Sequence, residues 1–152
     1  MSVFLQTEPF DPGALLTAFS VGRSETGAVV SFTGLARAEA GATTTLELDA
    51  YPGFTDAEIG RIAQAAAERF GLDDLLIVHR TGPIAPGEAI VFVATAAAHR
   101  RAAFEACDHL MDYLKSRAPF WKKERGPAGE RWIEPTAADL ADASRWDTKE
   151  TS

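Results

Sequence analysis

One amphipathic segment between residues 99 and 117 constrains the fold of this chain more than any other feature. Its apolar residues recur at three- and four-residue steps, which is the repeat of a helix that buries one face. They are Ala103, Phe104, Cys107, Leu110, Met111 and Leu114. Pro119 ends the pattern, because the residue before a proline is biased away from helical geometry. The segment therefore predicts a helix over 99–117 whose apolar stripe packs against a core.

Short strands and helices alternate through the rest of the chain. Strands are predicted over 3–7, 27–32, 43–51, 75–78, 89–98 and 131–134, a loop over 35–42, a turn over 81–88, and a helical part around 137–146. The 152 residues contain neither a repeat nor a linker. We therefore expect a single α+β domain with a largely antiparallel sheet and packed helices over 1–135, followed by a polar C-terminal tail over 136–152.

Two further helices carry recognisable start and stop signals. Asp11 is a predicted N-cap with Pro12 at the first helical position. Thr55 and Glu58 have the spacing of a capping box, and Gly71 is placed to end the helix that follows it.

The charge of the chain is unevenly distributed. The formal net charge is −7, yet residues 99–131 hold 8 lysines and arginines against 5 acids, which makes this segment +3 and the remainder −10. An acidic chain that gathers its positive charge in one segment is suited to binding an anion there. The overall acidity disfavours general binding to nucleic acid, which is itself a polyanion.

Cations stand at the unfavourable end of the 99–117 helix. His99, Arg100 and Arg101 lie in its first turn, where the helix dipole is already positive and backbone N–H groups lack partners. No Ser, Thr, Asp or Asn closely precedes them as a cap. Two interpretations stay open: the cations bind an anion together with the helix N-terminus, or they are solvated arginines that tolerate the position.

Three lysines near the other end of this helix are candidates for chemistry. Lys115 lies about 80° from the centre of the apolar stripe, so it is predicted to emerge at the edge of the core. Lys122 and Lys123 follow Pro119 in a lysine-rich loop that can fold back towards Lys115. Neighbouring ammonium groups lower one another's pKa, which favours a lysine that exchanges protons near neutral pH. The alternative is a solvated, lysine-rich surface loop.

Several classes of protein are disfavoured by what the sequence lacks. The longest apolar run, 89–98, is half the length of a membrane span, and the N-terminus has no secretion signal. The single cysteine excludes an intrachain disulfide and is typical of the reducing cytoplasm. Three scattered histidines match no ligand spacing of a metal site, and no glycine-rich phosphate loop is present. We therefore expect neither a metal nor a bound cofactor.

Five segments together resemble the large, catalytic subunit of molybdopterin synthase, the MoaE family. They are GAVVSFTGLAR at 27–37, LELDAY at 46–51, IVHRTGPIAPGEAIVFV at 77–93, AHRRAAFEACDHLMDYLKSRAPFWKKE at 98–124 and GERWIE at 129–134. The segments occur in order and cover most of the chain, and the fourth is the most specific.

The resemblance implies an α/β-hammerhead fold and a homodimer that binds two copies of a small ubiquitin-like sulfur carrier, forming a heterotetramer. The carrier's C-terminal Gly-Gly thiocarboxylate would enter a pocket of the large subunit. Two sulfur transfers would then convert cyclic pyranopterin monophosphate into the dithiolene of molybdopterin. Because the sulfur would arrive on the partner, no catalytic cysteine is required, and Cys107 is expected to be a small core residue.

The resemblance also implies roles for individual residues. Lys115 and Lys122 match the central catalytic pair, and both also match substrate-binding positions. Further substrate-binding positions are matched by Leu35, Ala36, Arg37, His99, Arg100, Lys123 and Glu124, and pocket walls by Phe32 and Met111. Pro135 and Thr136 stand where some members carry an additional basic residue. Two other functions remain as alternatives: a noncatalytic module that binds a ubiquitin-like tail or acidic peptide, and a binder of a phosphate ligand or RNA.

Overall fold

Eight strands and four helices are present in the computed structural model, which describes residues 1–37, 45–127 and 129–147. The strands are β1 (Ser2–Gln6), β2 (Ala28–Leu35), β3 (Thr45–Ala50), β4 (Asp74–Arg80), β5 (Gly82–Ile84), β6 (Ala89–Ala97), β7 (Phe120–Gly126) and β8 (Gly129–Ile133). The helices are α1 (Pro12–Ser20), α2 (Phe54–Phe70), α3 (Arg100–Ser116) and α4 (Ala137–Ser144). Most of the predicted 35–42 loop, the first two residues of the predicted 43–51 strand and the end of the 136–152 tail lie outside the described residues.

The first sheet has the strand order β1-β4-β6-β2 and carries helices on both faces. Ile77 and Val93 on one face pack with α2 and α3, whereas Val78 and Phe92 on the other face pack with Phe19 of α1. This division follows from the period of two along a strand, which sends neighbouring side chains to opposite faces. The β1–β4 pair is parallel and the other pairs are antiparallel, so the predicted α+β class with a largely antiparallel arrangement is confirmed.

The second sheet, β5-β3-β7-β8, is antiparallel throughout, and the sequence did not predict it as a separate sheet. The expected lysine-rich loop after Pro119 is wrong, because these residues form the strand β7. Lys122 pairs with Leu48 of β3 and Lys123 with Glu47. Strand pairing on both sides of β7 fixes which side chain faces which way, and a flexible loop would not.

Helix α3 confirms the predicted helix, with one correction to its buried face. Ala103, Cys107, Leu110 and Leu114 are buried as expected, whereas Phe104 is 56% exposed. Phe104 lies about 100° around the helix from Ala103, which takes it off the stripe that contacts the sheet. His109, which the apolar pattern did not include, is buried on this helix.

The predicted capping box at the start of α2 is wrong. Gly53 is the N-cap, no side chain caps the helix, and Glu58 pairs with Arg61 instead. Thr55 is buried: its hydroxyl accepts from the Tyr51 N–H at 2.8 Å and donates to the Pro119 carbonyl at 2.9 Å. The threonine therefore ties the start of α2 to the chain that leaves α3.

The other helix signals are confirmed. The Asp11 carboxylate accepts from the backbone N–H groups of Gly13 and Ala14 at the start of α1. Gly71 ends α2 in the left-handed conformation with φ 61°, where a side chain would be strained. No helix in the described ranges is long and apolar enough to cross a membrane.

The chain after β8 packs back onto α3. Thr136 and Asp139 form a capping box at the start of α4. Beyond this helix, Trp146 is buried and its indole N–H donates to the Asp112 carboxylate at 2.6 Å, while Arg145 forms ion pairs with Asp108 and Asp112. These contacts hold the 137–147 segment against α3, whose last turn carries Lys115.

Candidate active site

A cavity of about 620 Å³ lies where the first sheet, the second sheet and the end of α3 meet. Its wall comes from β2 and the two residues after it, from β3, β4, β6 and β7, from the last turns of α3 and from the 133–139 segment. Predicted site residues on this wall are Phe32, Leu35, Ala36, Arg37, Met111, Lys115, Lys122 and Glu124. The fold therefore brings together residues that are up to about ninety positions apart in the chain.

Lys115 and Lys122 reach this cavity from different elements. Lys115 lies in the last turn of α3, which suits a cation at the negative end of a helix, and its side chain is exposed. Lys122 lies on β7 and is half-buried. Burial, followed by the nearby charge of Lys115, lowers the pKa of Lys122 to about 8, and Asp139 of α4 partly opposes this shift. The neighbouring lysine thus contributes to the lowered pKa of Lys122, as predicted, but burial contributes more.

The alternation of β7 separates the next two residues. Glu124 lies on the same face as Lys122, lines the cavity and accepts a hydrogen bond from Arg131 at 2.9 Å. The Lys123 ammonium lies 2.8 Å from the Glu130 carboxylate and 5.0 Å from the ring of Trp132. The Lys123 side chain is therefore directed away from the cavity, and Lys123 does not line it.

The residue that follows β2 is hydrogen-bonded to the connection between β5 and β6. The Ala36 N–H donates to the Glu88 carbonyl at 2.8 Å, and the Gly87 N–H donates to the Ala36 carbonyl at 2.7 Å. At Gly34, a Cβ atom would stand 2.8 Å from a methyl carbon of Val91, so a side chain there would push the wall apart. This pairing brings Arg37, which follows Ala36, to the mouth of the cavity.

His99 and Arg100 lie away from the lysine pair. His99 is the N-cap of α3 without a side-chain capping bond, and both residues are exposed. Lys115 lies fifteen residue steps after Arg100 on α3, a distance of roughly 22 Å at 1.5 Å per residue. Neither residue lines the cavity. Within one chain, the structure does not bring the two predicted groups of cations together.

His79 and Asp139 are among the residues of the cavity wall that were not predicted as site residues. His79 of β4 is buried, and its ring stacks on Phe120 with 4.3 Å between ring centres. Asp139 of α4 lines the cavity and bears on the pKa of Lys122. The sequence offers one indication for His79, which is a polar residue in a strand that is otherwise mostly apolar. For Asp139 it indicates only a capping position at the start of α4.

The cysteine of the chain belongs to the core and not to the cavity. Cys107 is 6% exposed and packs with Leu110, Leu114 and residues of α2. Burial raises the pKa of its thiol to about 12, so the thiolate, which is the nucleophilic form, is scarce at neutral pH. Among the described residues, no group of three or more His, Cys, Asp or Glu side chains is arranged to hold a metal ion.

Comparison with known proteins gives consistent matches along the chain. The family model described as MoaE protein matches residues 5–117. A molybdopterin synthase catalytic subunit from Caulobacter vibrioides is 72% identical over 147 residues, covering 97% of this chain and 98% of that protein. A solved MoaE protein of molybdopterin biosynthesis from Burkholderia ambifaria superposes with a TM-score of 0.81 at 41% identity, over 96% of this chain and 97% of that one. A solved molybdopterin synthase from Staphylococcus aureus superposes with a TM-score of 0.77 at 29% identity, over 86% and 95% of the two chains.

Proposed function

The chain belongs to the MoaE family of molybdopterin synthase catalytic subunits, and we propose that its sulfur-transfer reaction takes place in the cavity between the two sheets. The substrates are the C-terminal thiocarboxylate of a small ubiquitin-like carrier and cyclic pyranopterin monophosphate. The observation that carries the proposal is the convergence of Lys115 and Lys122 on one cavity, with the pKa of Lys122 lowered to about 8.

Lys122 is the proton donor in this account. A lysine with a pKa near 8 is still mostly protonated at neutral pH, yet it releases its proton more readily than an exposed lysine does. When the thiocarboxylate sulfur forms its bond to a pterin carbon, the oxygen that leaves that carbon takes up a proton. Water then cleaves the acyl C–S bond of the resulting thioester, which leaves the sulfur on the pterin and releases the carrier with an ordinary C-terminal carboxylate. The Lys122 ammonium can supply that proton from the cavity wall.

Lys115 stabilises negative charge. Its side chain is more exposed than that of Lys122, at the mouth of the same cavity. A thiocarboxylate and a cyclic phosphate are both anions, so a cation at this position favours their entry and the charge that develops during transfer.

The sulfur comes from the carrier and not from this chain. The sequence has one cysteine, and its thiol is buried in the core with a raised pKa. A protein-bound persulfide needs an accessible thiolate, which Cys107 does not offer. Delivery of sulfur as a thiocarboxylate on a partner's C-terminus requires no cysteine at the cavity.

Arg37, His99 and Arg100 bind the substrate phosphate, and a second copy of the chain supplies the latter two. Arginine suits phosphate because its guanidinium donates two parallel hydrogen bonds. Arg37 lies at the cavity, but His99 and Arg100 are roughly 22 Å along α3 from Lys115. In a symmetric dimer each α3 N-terminus can serve the cavity of the other copy. The assembly is then a homodimer with one carrier at each cavity, a heterotetramer.

We place this reaction in the cytoplasm. The proposal is supported by the single cysteine, which leaves the chain without an intrachain disulfide.

Leu35, Ala36 and the backbone of Lys123 complete the substrate-binding residues, and Glu124 orients this part of β7 through Arg131. Phe32 and Met111 form apolar walls.

Reconstitution tests the proposed function. The purified chain is mixed with thiocarboxylated carrier and cyclic pyranopterin monophosphate, and dithiolene product is measured. Product that depends on all three components supports the proposal. A chain that binds the carrier without forming product would instead be the noncatalytic binding module.

A further inference from the structure

His79 is the least explained polar group of the cavity. It lies on β4 of the first sheet, is 6% exposed and is stacked at an angle of 22° on Phe120 of the second sheet. A buried histidine near the end of a largely apolar strand costs free energy unless its ring nitrogens are hydrogen-bonded. It lies at the junction of the two sheets and lines the cavity.

The environment of the ring fixes its tautomer. The Nδ1 atom lies 2.8 Å from the Arg80 carbonyl oxygen, which can only accept, so Nδ1 carries the hydrogen. Burial, with smaller contributions from Lys122 and Lys115, lowers the pKa of His79 to about 4. The imidazole is therefore neutral at physiological pH, and Nε2 is left with a lone pair that can accept a hydrogen bond.

No described residue provides a partner for Nε2. Within the described part of the chain, His79 contacts the Arg80 carbonyl and the Phe120 ring and lies in the electrostatic field of the two lysines. Nε2 is not among the fully enclosed unpaired atoms, so it has access to the cavity that the residue lines. Phe120 and Lys122 share one face of β7, so the ring that stacks on Phe120 is directed to the part of the cavity where Lys122 lies.

We propose that His79 is a ligand-binding residue of this cavity, whose Nε2 accepts a hydrogen bond from an N–H group of the bound ligand. The inference rests on the proposed function, because that function identifies the ligands. Both have suitable donors: the carrier tail has backbone N–H groups next to its thiocarboxylate, and the pterin has ring and amino N–H groups. A neutral acceptor is suited to this place, since a carboxylate would raise the pKa of the neighbouring Lys122.

Two substitutions separate the acceptor role from the structural one. In His79→Asn, the side-chain amide can still donate to the Arg80 carbonyl but does not extend to the position of Nε2. In His79→Gln, the longer amide can place an acceptor near that position. His109→Asn is the matched control, because His109 is also buried with a pKa lowered to about 4 but does not line this cavity.

Calorimetry with the two probes identifies the donor. The probes are the carrier protein with its ordinary C-terminal carboxylate, and cyclic pyranopterin monophosphate. His79→Asn should weaken the affinity for one of them about tenfold, the cost of leaving one buried donor unpaired, and His79→Gln should recover part of the loss. The probe whose affinity falls is the one that carries the N–H group bonded to Nε2. His109→Asn should leave the affinities for both probes unchanged.

Nitrogen NMR of the wild-type chain supplies a test that needs no variant to fold. The ¹⁵N resonance of His79 Nε2 should move in the direction of a hydrogen-bonded nitrogen when the affected probe is added, while Nδ1 stays protonated. Unchanged affinities in a folded His79→Asn chain, or an Nε2 resonance that neither probe moves, would overturn the inference. A wild-type chain that binds neither probe would instead overturn the proposed function.

Discussion

Lys115 and Lys122 face one cavity from two different elements, and Lys115 adds to the effect of burial in lowering the pKa of Lys122. The chain between them leaves α3, passes Pro119 and enters β7. The Thr55 hydroxyl donates to the Pro119 carbonyl, which ties this turn to the start of α2. The relative position of the two lysines is therefore determined by packing and strand pairing, as the preorganisation of a charged site requires.

The pH dependence of catalysis should report Lys122. With Lys122 as proton donor and a pKa of about 8, kcat/KM should be level below that pH and fall as pH rises through it, because the deprotonated amine has no proton to give. The profile is measured by reconstitution between pH 6 and 9.5 (roughly one to two units on either side of the transition). A profile that rises through the same region would make Lys122 a base.

Replacing Lys122 by methionine should stabilise the folded chain at neutral pH. The unfolded lysine, at its ordinary pKa of 10.5, binds more protons than the folded one, so wild-type stability increases as pH rises from about 8 to 10.5. Below about 8 the cost of the buried ammonium is fully present, on the order of 1–3 kcal/mol. Urea denaturation at pH 7 should therefore give a higher midpoint for Lys122→Met, and the gain should shrink as pH rises from about 8 to 10.5. A less stable variant at pH 7 would mean that the ammonium is well solvated.

Cys107→Ala should separate a core role from a catalytic one. Truncating this buried side chain should cost about 1–2 kcal/mol of stability, because its neighbours lose contacts. Sulfur transfer from thiocarboxylated carrier should persist at a temperature where the variant is folded. Loss of transfer from a folded variant, or a persulfide trapped on Cys107, would contradict delivery of sulfur by the carrier.

Some elements of this fold could be predicted from the sequence because residues close together in the chain determine them. Helix α3 follows from its 3.6-residue repeat, and the end of α2 follows from Gly71, which adopts positive φ without strain. Strand β7 could not be predicted in the same way. Its inward face carries Phe120, Lys122 and Glu124 and borders a cavity instead of a core, so it lacks an apolar alternation.

Tertiary contacts decide the features that were mispredicted. Thr55 has the spacing of a cap, but its hydroxyl is used by Tyr51 and Pro119, of which the second is distant in sequence. His79 was missed because its position beside Lys122 depends on the stacking of two sheets. The lysines were found from the resemblance and from helix geometry, and their pairing depends on the β3–β7 register.

Mixing two impaired variants at a pterin concentration well below KM should test whether each site is built from two copies. If His99 and Arg100 serve the cavity of the other copy, Lys115→Ala and Arg100→Ala chains complement each other when they exchange. About a quarter of wild-type turnover should return, because half the dimers are mixed and each mixed dimer has one intact site. Pterin affinity of Arg100→Ala alone should fall roughly ten- to hundredfold, the loss of one charge-assisted contact. Activity that stays additive and low on mixing would place both residues in the same chain's site or outside it.

The central claim is that the cavity lysines carry the chemistry, and turnover of folded lysine variants tests it most directly. Lys115→Ala and Lys122→Ala are compared with Arg125→Ala, which removes a cation from the outward side of β7, where it pairs with Glu47 and Glu130. In reconstitution with thiocarboxylated carrier and the cyclic pterin, Lys115→Ala should reduce kcat by about a hundredfold or more, and Lys122→Ala by a similar or somewhat smaller factor, a typical loss of acid–base or electrostatic catalysis. Arg125→Ala should stay within about threefold of wild type, in line with the small energetic effect of exposed ion pairs. Near-normal dithiolene formation by a folded Lys115→Ala or Lys122→Ala chain would contradict the claim.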